Sequence, residues 1–268
     1  MELDNIKDVA TARILLLGDV GKSVFPLSSA EFFKRLTFAG VGKSRLTDLL
    51  ASSADTPTAS TRTVGDVWWN VQVRLHEYPR YFGMPPTPEW TSSSSPSSST
   101  HSAQHLSCFE RSLYQPKSAT CELLPYFVEF YDLKGALRLP REHRNILYRN
   151  IDGIILVYDL LDMSTHDHLH DWLYEPLRLI CRHRHKRERP ILKRRHVPIL
   201  VVGTKMDLLN TRRLRRSGGI ADQLNAEEIL INCLDQNSFS AKSRNEGKLQ
   251  TFLNHAIEFK QNFPARRH

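Results

Sequence analysis

The chain has 268 residues, of which 40% are apolar, 25% charged and 9% aromatic. That length and composition support a substantial core and exclude a wholly disordered chain, a collagen-like repeat or a small disulfide-stapled fold. Of the formal charge of +8, +7 sits in residues 181–196, where eight Lys and Arg face only Glu188, so the molecule has a basic segment rather than a basic body.

In chain order, residues 14–17 form an apolar run that stops at Gly18, the signature of a short buried strand. Residues 43–50 follow as a helix. Residues 67–75 alternate (Val67, Trp69, Val71, Val73, Leu75) and predict a long strand with that face buried. Residues 127–133 form the next strand, ahead of a turn at Gly135, and 141–148 a helix. The runs 153–159 and 197–203 are almost continuously apolar, as in a parallel sheet covered on both faces. A helix over 164–181, a last strand over 229–233 and a last helix over 246–259 complete the pattern. Strands and helices alternating in this way predict an α/β fold: one domain over residues 12–263 with a mostly parallel six-stranded sheet and helices on both faces.

Three segments stand outside that pattern. Residues 84–120 hold 20 Ser, Thr or Pro in 37 positions, which buries too little apolar surface to offset the entropy of ordering; a disordered insertion is expected. The basic residues 181–196 are a second insertion, between a helix and a strand. Residues 21–39 are a third.

The four cysteines (Cys108, Cys121, Cys181, Cys233) have no CxxC or metal-ligand spacing, which suits a reducing compartment. No apolar run is long enough to cross a bilayer, and the polar, acidic first residues do not resemble a secretory signal. The second residue is Glu2 rather than glycine, and the final residues hold no cysteine, so no direct lipid anchor and a cytoplasmic location are expected.

Gly40-Val41-Gly42-Lys43-Ser44 is the second half of a phosphate-binding loop, GxxxxGK[ST]. In such a loop successive backbone N–H groups wrap the phosphates, the Lys reaches the β/γ oxygens and the hydroxyl binds Mg²⁺. The first glycine belongs at position 37, which is Thr37, whereas a strand-to-glycine junction stands earlier, at Gly18. Excising residues 21–39 would restore Gly-Asp-Val-Gly-Val-Gly-Lys-Ser, a complete loop. Codons for Gly21-Lys22-Ser23 can contain GGTAAGT and codons for Phe38-Ala39-Gly40 can end in TTTGCAGG, a donor and acceptor pair in frame, so the segment reads as a translated intron. As a genuine insertion, it would instead be expected to leave the helix without a preformed cradle and to collapse nucleotide affinity.

Further motifs follow in order: Thr63-Val64-Gly65 before the long strand, Asp132-Leu133-Lys134-Gly135 as DxxG, and Gly203-Thr204-Lys205-Met206-Asp207 after the strand at 197–203. DxxG lies at the carboxyl end of a strand, where open α/β sheets bind ligands. With the phosphate loop, these motifs make the chain similar to the Ras-superfamily small GTPases, of the Rab-like type, over residues 13–263 apart from the insertions. The resemblance implies a P-loop NTPase fold with GTP/GDP and Mg²⁺ as ligands. It assigns Gly18, Gly40, Val41, Gly42, Lys43, Ser44, Thr63 and Gly135 to the phosphates, and Ser44, Thr63 and Asp132 to the metal. Thr204, Lys205 and Asp207 match NKxD, with Thr204 in place of the usual Asn. The Asp207 carboxylate can accept from guanine N1–H and N2–H₂, a donor pair adenine lacks, while the Lys205 stem would pack along the ring. For the last base-contact loop, Ser240-Ala241-Lys242 matches by letter, but Cys233-Leu234-Asp235 directly follows the last predicted strand and is preferred.

Ala136 stands where a Gln usually orients the attacking water, so no catalytic residue is assigned and slow GTP hydrolysis is expected. The resemblance further implies regulatory and effector proteins as partners, a homodimer, and a part in trafficking or small-GTPase signalling. Residues 181–196 lack Phe, Tyr and Trp for base stacking, so no specific nucleic acid is expected. The competing reading is a pseudo-GTPase scaffold that binds no nucleotide because its phosphate loop is interrupted.

Overall fold

Alternating short strands and amphipathic helices build a seven-stranded sheet in the order β2-β3-β4-β1-β5-β6-β7. The computed structural model describes residues 9–19, 40–51, 62–63, 69–82, 120–133, 142, 145, 148, 150–182, 197–209 and 219–262. Six strands are long: β1 (Ala10–Leu17), β3 (Trp69–Phe82), β4 (Thr120–Leu133), β5 (Gly153–Asp159), β6 (Ile199–Thr204) and β7 (Glu227–Leu230). The two-residue strand β2 (Arg62–Thr63) extends the edge beside β3. β1 lies between β4 and β5, and the run β4-β1-β5-β6-β7 is parallel throughout, while β2 and β3 are antiparallel additions.

Helices α1 (Lys43–Ala51) and α5 (Arg244–Asn262) cover one face, α3 (Leu169–Arg182) and α4 (Ile220–Leu224) the other; the short α2 (Ser164–Asp167) leads into α3. The pleat sorts the central strands between two cores. Ile14, Leu16, Phe130, Ile155 and Val202 meet Leu46, Leu50, Leu253 and Ala256 on the first face. Leu15, Leu17, Ile154, Leu156 and Val201 meet Leu169, Leu173 and Leu177 on the second. β5 is buried at all seven positions, the burial expected of a central parallel strand.

The structure departs from the sequence reading in several places. The face of β3 predicted to be buried is the wrong one. Asn70, Gln72, Arg74, His76 and Tyr78 face the helices, while Val71, Val73 and Leu75 are half-buried on the other side. The helices supply the polar partners that make this burial tolerable: Gln72 bonds Asp48 of α1, Arg74 Nη2 donates to Glu246 Oε1 at 3.2 Å, and His76 Nε2 bonds Asn254 Oδ1 at 2.8 Å. β3 and β4 also run longer than expected, pairing from Trp69↔Leu133 out to Phe82↔Thr120, so Thr120 belongs to the strand and not to the insertion.

The predicted helix over 164–181 is two helices with His168 between them, and α3 extends to Arg182, into the basic segment. β7 begins and ends earlier than 229–233: Ile231 N–H still donates to Gly203 O at 2.8 Å, then the chain turns away, leaving Cys233 in a turn. Helix α4 was not anticipated. Of the predicted helix over 141–148, Glu142, Asn145 and Tyr148 are described and helical. Residues 21–39, the insertion beyond Phe82 as far as residue 119, and residues 183–196 lie outside the described residues.

Candidate functional site

The carboxyl ends of β1, β4, β5 and β6 and the start of α1 bring the motifs together. β1 ends at Leu17, and Gly18 follows at φ +149°, where a Cβ would stand 2.1 Å from the carbonyl oxygen of Val157 on β5. Only glycine fits there. Across the interruption, Val41 N–H points to Asp19 O at 3.4 Å, and the Lys43 ammonium donates to Gly18 O at 2.7 Å and Asp19 O at 3.1 Å. The two halves of the phosphate loop therefore meet although twenty residues separate them in the chain. This contact brings the flanks of the interruption together at the start of α1. Gly42, at φ +87°, turns the backbone into α1, whose first bond runs from Leu46 N–H to Gly42 O at 2.9 Å.

Lys43 is buried, and burial lowers its ammonium pKa to about 8 against the opposing pull of Asp132 and Asp19. An ammonium held at a helix start between glycine-rich turns is suited to a polyphosphate, whose charge would compensate the desolvation. Next to it, Ser44 Oγ donates to Asp132 Oδ2 at 2.5 Å, and Asp132 is almost fully buried at the end of β4. A hydroxyl and a buried carboxylate in contact, facing the phosphate cradle, form the hard-oxygen pair that fits Mg²⁺. Ser44 and Asp132 are the residues that would hold it. Thr63 stands in β2 opposite Val71, and its side chain is not described. Gly135 and Ala136 lie outside the described residues, as do Val64 and Gly65.

At the other end of the site, Thr204 is fully buried where β6 ends. Its hydroxyl lies 2.6 Å from Val41 O and 3.0 Å from Tyr158 O, so it ties the end of β6 to the backbone just ahead of α1 and to β5. Lys205 adopts the left-handed conformation at φ +61°, rare for a non-glycine residue, and its ammonium reaches Asp159 Oδ2 at 2.5 Å. Asp207 is exposed in the turn Met206–Leu208. Met206 N–H donates to Ile231 O at 3.2 Å, joining this turn to the one after β7. Cys233 lies in that second turn, its thiol pushed up to about 12 first by burial and then by the Asp207 carboxylate, so the two loops share a corner. Leu234 is exposed beside it, its N–H held by Asn232 Oδ1 at 2.9 Å. Ser240-Ala241-Lys242 forms a separate exposed turn ahead of α5.

Four residues here were not singled out from sequence. Asp159 positions Lys205. Asp19 accepts from Trp172 Nε1 at 2.6 Å and from His168 Nδ1 at 2.8 Å, both at the amino end of α3. The available signal was an acid directly after Gly18 together with His168 and Trp172 one helical turn apart.

The Ras family model matches residues 127–252, from β4 into α5, which leaves the interrupted phosphate loop outside the match. Rab-like protein 3 of Bos taurus is 28% identical over 239 residues, covering 82% of this chain and 81% of that protein. Rab-like protein 3 of Homo sapiens is 27% identical over the same length, and that of Mus musculus 32% over 157 residues, covering 53% of this chain and 66% of the mouse protein. By fold and by these relatives, the chain resembles the Ras-superfamily small GTPases, and Rab-like protein 3 among them.

Proposed function

We propose that this chain binds GTP and GDP with Mg²⁺ and acts as a slow, Rab-like switch in trafficking or small-GTPase signalling, its nucleotide-dependent shape read by regulatory and effector proteins. The observation that carries the reading is the Lys43 ammonium held against Gly18 and Asp19 beside the Ser44–Asp132 pair: the cationic and hard-oxygen groups a triphosphate needs converge at the start of α1. Guanine selectivity would come from Asp207, with the loop at Cys233 and Leu234 closing the same corner. Slow turnover follows from Ala136, which offers no carboxamide to a water, so hydrolysis would run on the order of 10⁻⁴ s⁻¹ or slower without a stimulating partner. A homodimer is part of the same reading.

Titration with fluorescent GDP and GTP, with and without Mg²⁺, tests it. Saturable sub-micromolar binding that Lys43→Ala abolishes supports the switch. No binding by the full chain, with its fold intact, replaces it with the pseudo-GTPase scaffold.

A further inference from the structure

In an uninterrupted phosphate loop the first turn stays against the second because only one or two residues join them. Here residues 20–39 intervene, and a connection of that length leaves its ends free to separate unless other contacts hold them. The described contacts that reach Asp19 come from two directions. Lys43 and Val41 approach its backbone carbonyl from the helix α1 side. Its carboxylate is gripped by the half-buried Trp172 indole of α3 at 2.6 Å on one oxygen and by His168, just ahead of α3, at 2.8 Å on the other.

We propose that Asp19, Trp172 and His168 form a clasp that holds the first turn of the phosphate loop in place of chain continuity, so that α3 positions the carbonyls on which the Lys43 ammonium rests. This rests on the nucleotide-binding reading only in its consequence for affinity; the clasp itself is a property of the nucleotide-free protein. Trp172 is the stronger arm. Its ring is packed against the α3-side core, and its N–H meets a charged acceptor, whereas His168 is exposed and its bond is screened by solvent. His168 has its pKa raised by the Asp19 hydrogen bond and charge, so the protonated imidazole holds the carboxylate more strongly than the neutral one. Trp172 and His168 are positioning residues: they act on the phosphate site through Asp19, whose carbonyl accepts from Lys43.

The clasp makes a prediction that a purely structural role does not. Trp172→Phe keeps the packed ring and removes the donor; Asp19→Asn keeps the shape and removes the charge. Each is made in the full chain and in a chain lacking residues 21–39, where covalent continuity is restored. Amide hydrogen exchange over residues 40–44 of the nucleotide-free proteins reads the loop, and fluorescent GDP titration reads the site. In the full chain both substitutions are expected to speed exchange and weaken GDP by about tenfold, the loss of one charge-assisted bond. Without residues 21–39 the same substitutions should change either quantity by less than about twofold. Unchanged exchange in the full chain, or equal effects in both backgrounds, overturns the clasp. Faster exchange in the full chain alone, in a protein that binds no GDP, upholds the clasp and ends the nucleotide-binding reading.

Discussion

Thr204 shows how one atom can decide what a motif means. By its letters it is a shortened substitute for asparagine, with a weaker hold on the base. Its position makes it a strut between loops, with no exposure and Val41 O at 2.6 Å. Thr204→Val preserves the volume and deletes the hydroxyl, leaving Val41 O without that donor; GDP affinity measured by fluorescence titration should fall by about tenfold. At Ser44 the effect should be selective. Ser44→Ala removes the hydroxyl that touches Asp132, so chelating Mg²⁺ with EDTA should lower GDP affinity far less than in the unchanged chain. The candidate phosphate, metal and base motifs could be picked out in sequence because each needs particular residue types at fixed spacing. Asp19, Asp159 and Trp172 were not, because their roles depend on which strand end and which helix start become neighbours.

At the level of elements, β5 was readable to the residue and β3 was read upside down, for one physical reason. β5 lies between two apolar layers, so its composition reports its burial directly. On β3 alternation reveals two faces but not which one is inward, and here Asp48, Glu246 and Asn254 make the polar face the buried one. His76 gives that arrangement a pH dependence. Burial is the main cause of its lowered pKa, and Arg74 lowers it further, against Asn254 and Glu246. The unfolded chain therefore takes up a proton before the folded chain does. The stability this residue contributes is complete above its ordinary pKa of 6.5 and is lost progressively as pH falls below it. The melting temperature of the full chain should drop below pH 6.5, and His76→Gln should flatten that slope while lowering the plateau, because the Asn254 bond is weakened. An unchanged slope would mean that another group controls it.

Over the whole molecule, the two cores share one sheet, and Gly18, Asp132 and Thr204, proposed for phosphate, metal and base, stand at the carboxyl ends of β1, β4 and β6. Nucleotide bound there would bridge α1, β4 and β6, so binding should stabilise the entire domain. Free GDP at a hundredfold excess over its dissociation constant adds about 2.7 kcal/mol to unfolding, and thermal melting with GDP and Mg²⁺ should shift upward accordingly. Among the described residues no helix is long and apolar enough to cross a membrane.

The polar side of β3 also sets an order of events during synthesis. Arg74 and His76 emerge early from the ribosome, but their partners Glu246 and Asn254 lie on the last described helix and follow 172 and 178 residues later. At ordinary elongation rates that is roughly ten to thirty seconds or more, during which the strand cannot shed its water without stranding a guanidinium and an imidazole. The nascent sheet is thus kept from closing prematurely on that side, and the domain is completed only when its final helix is released from the exit tunnel.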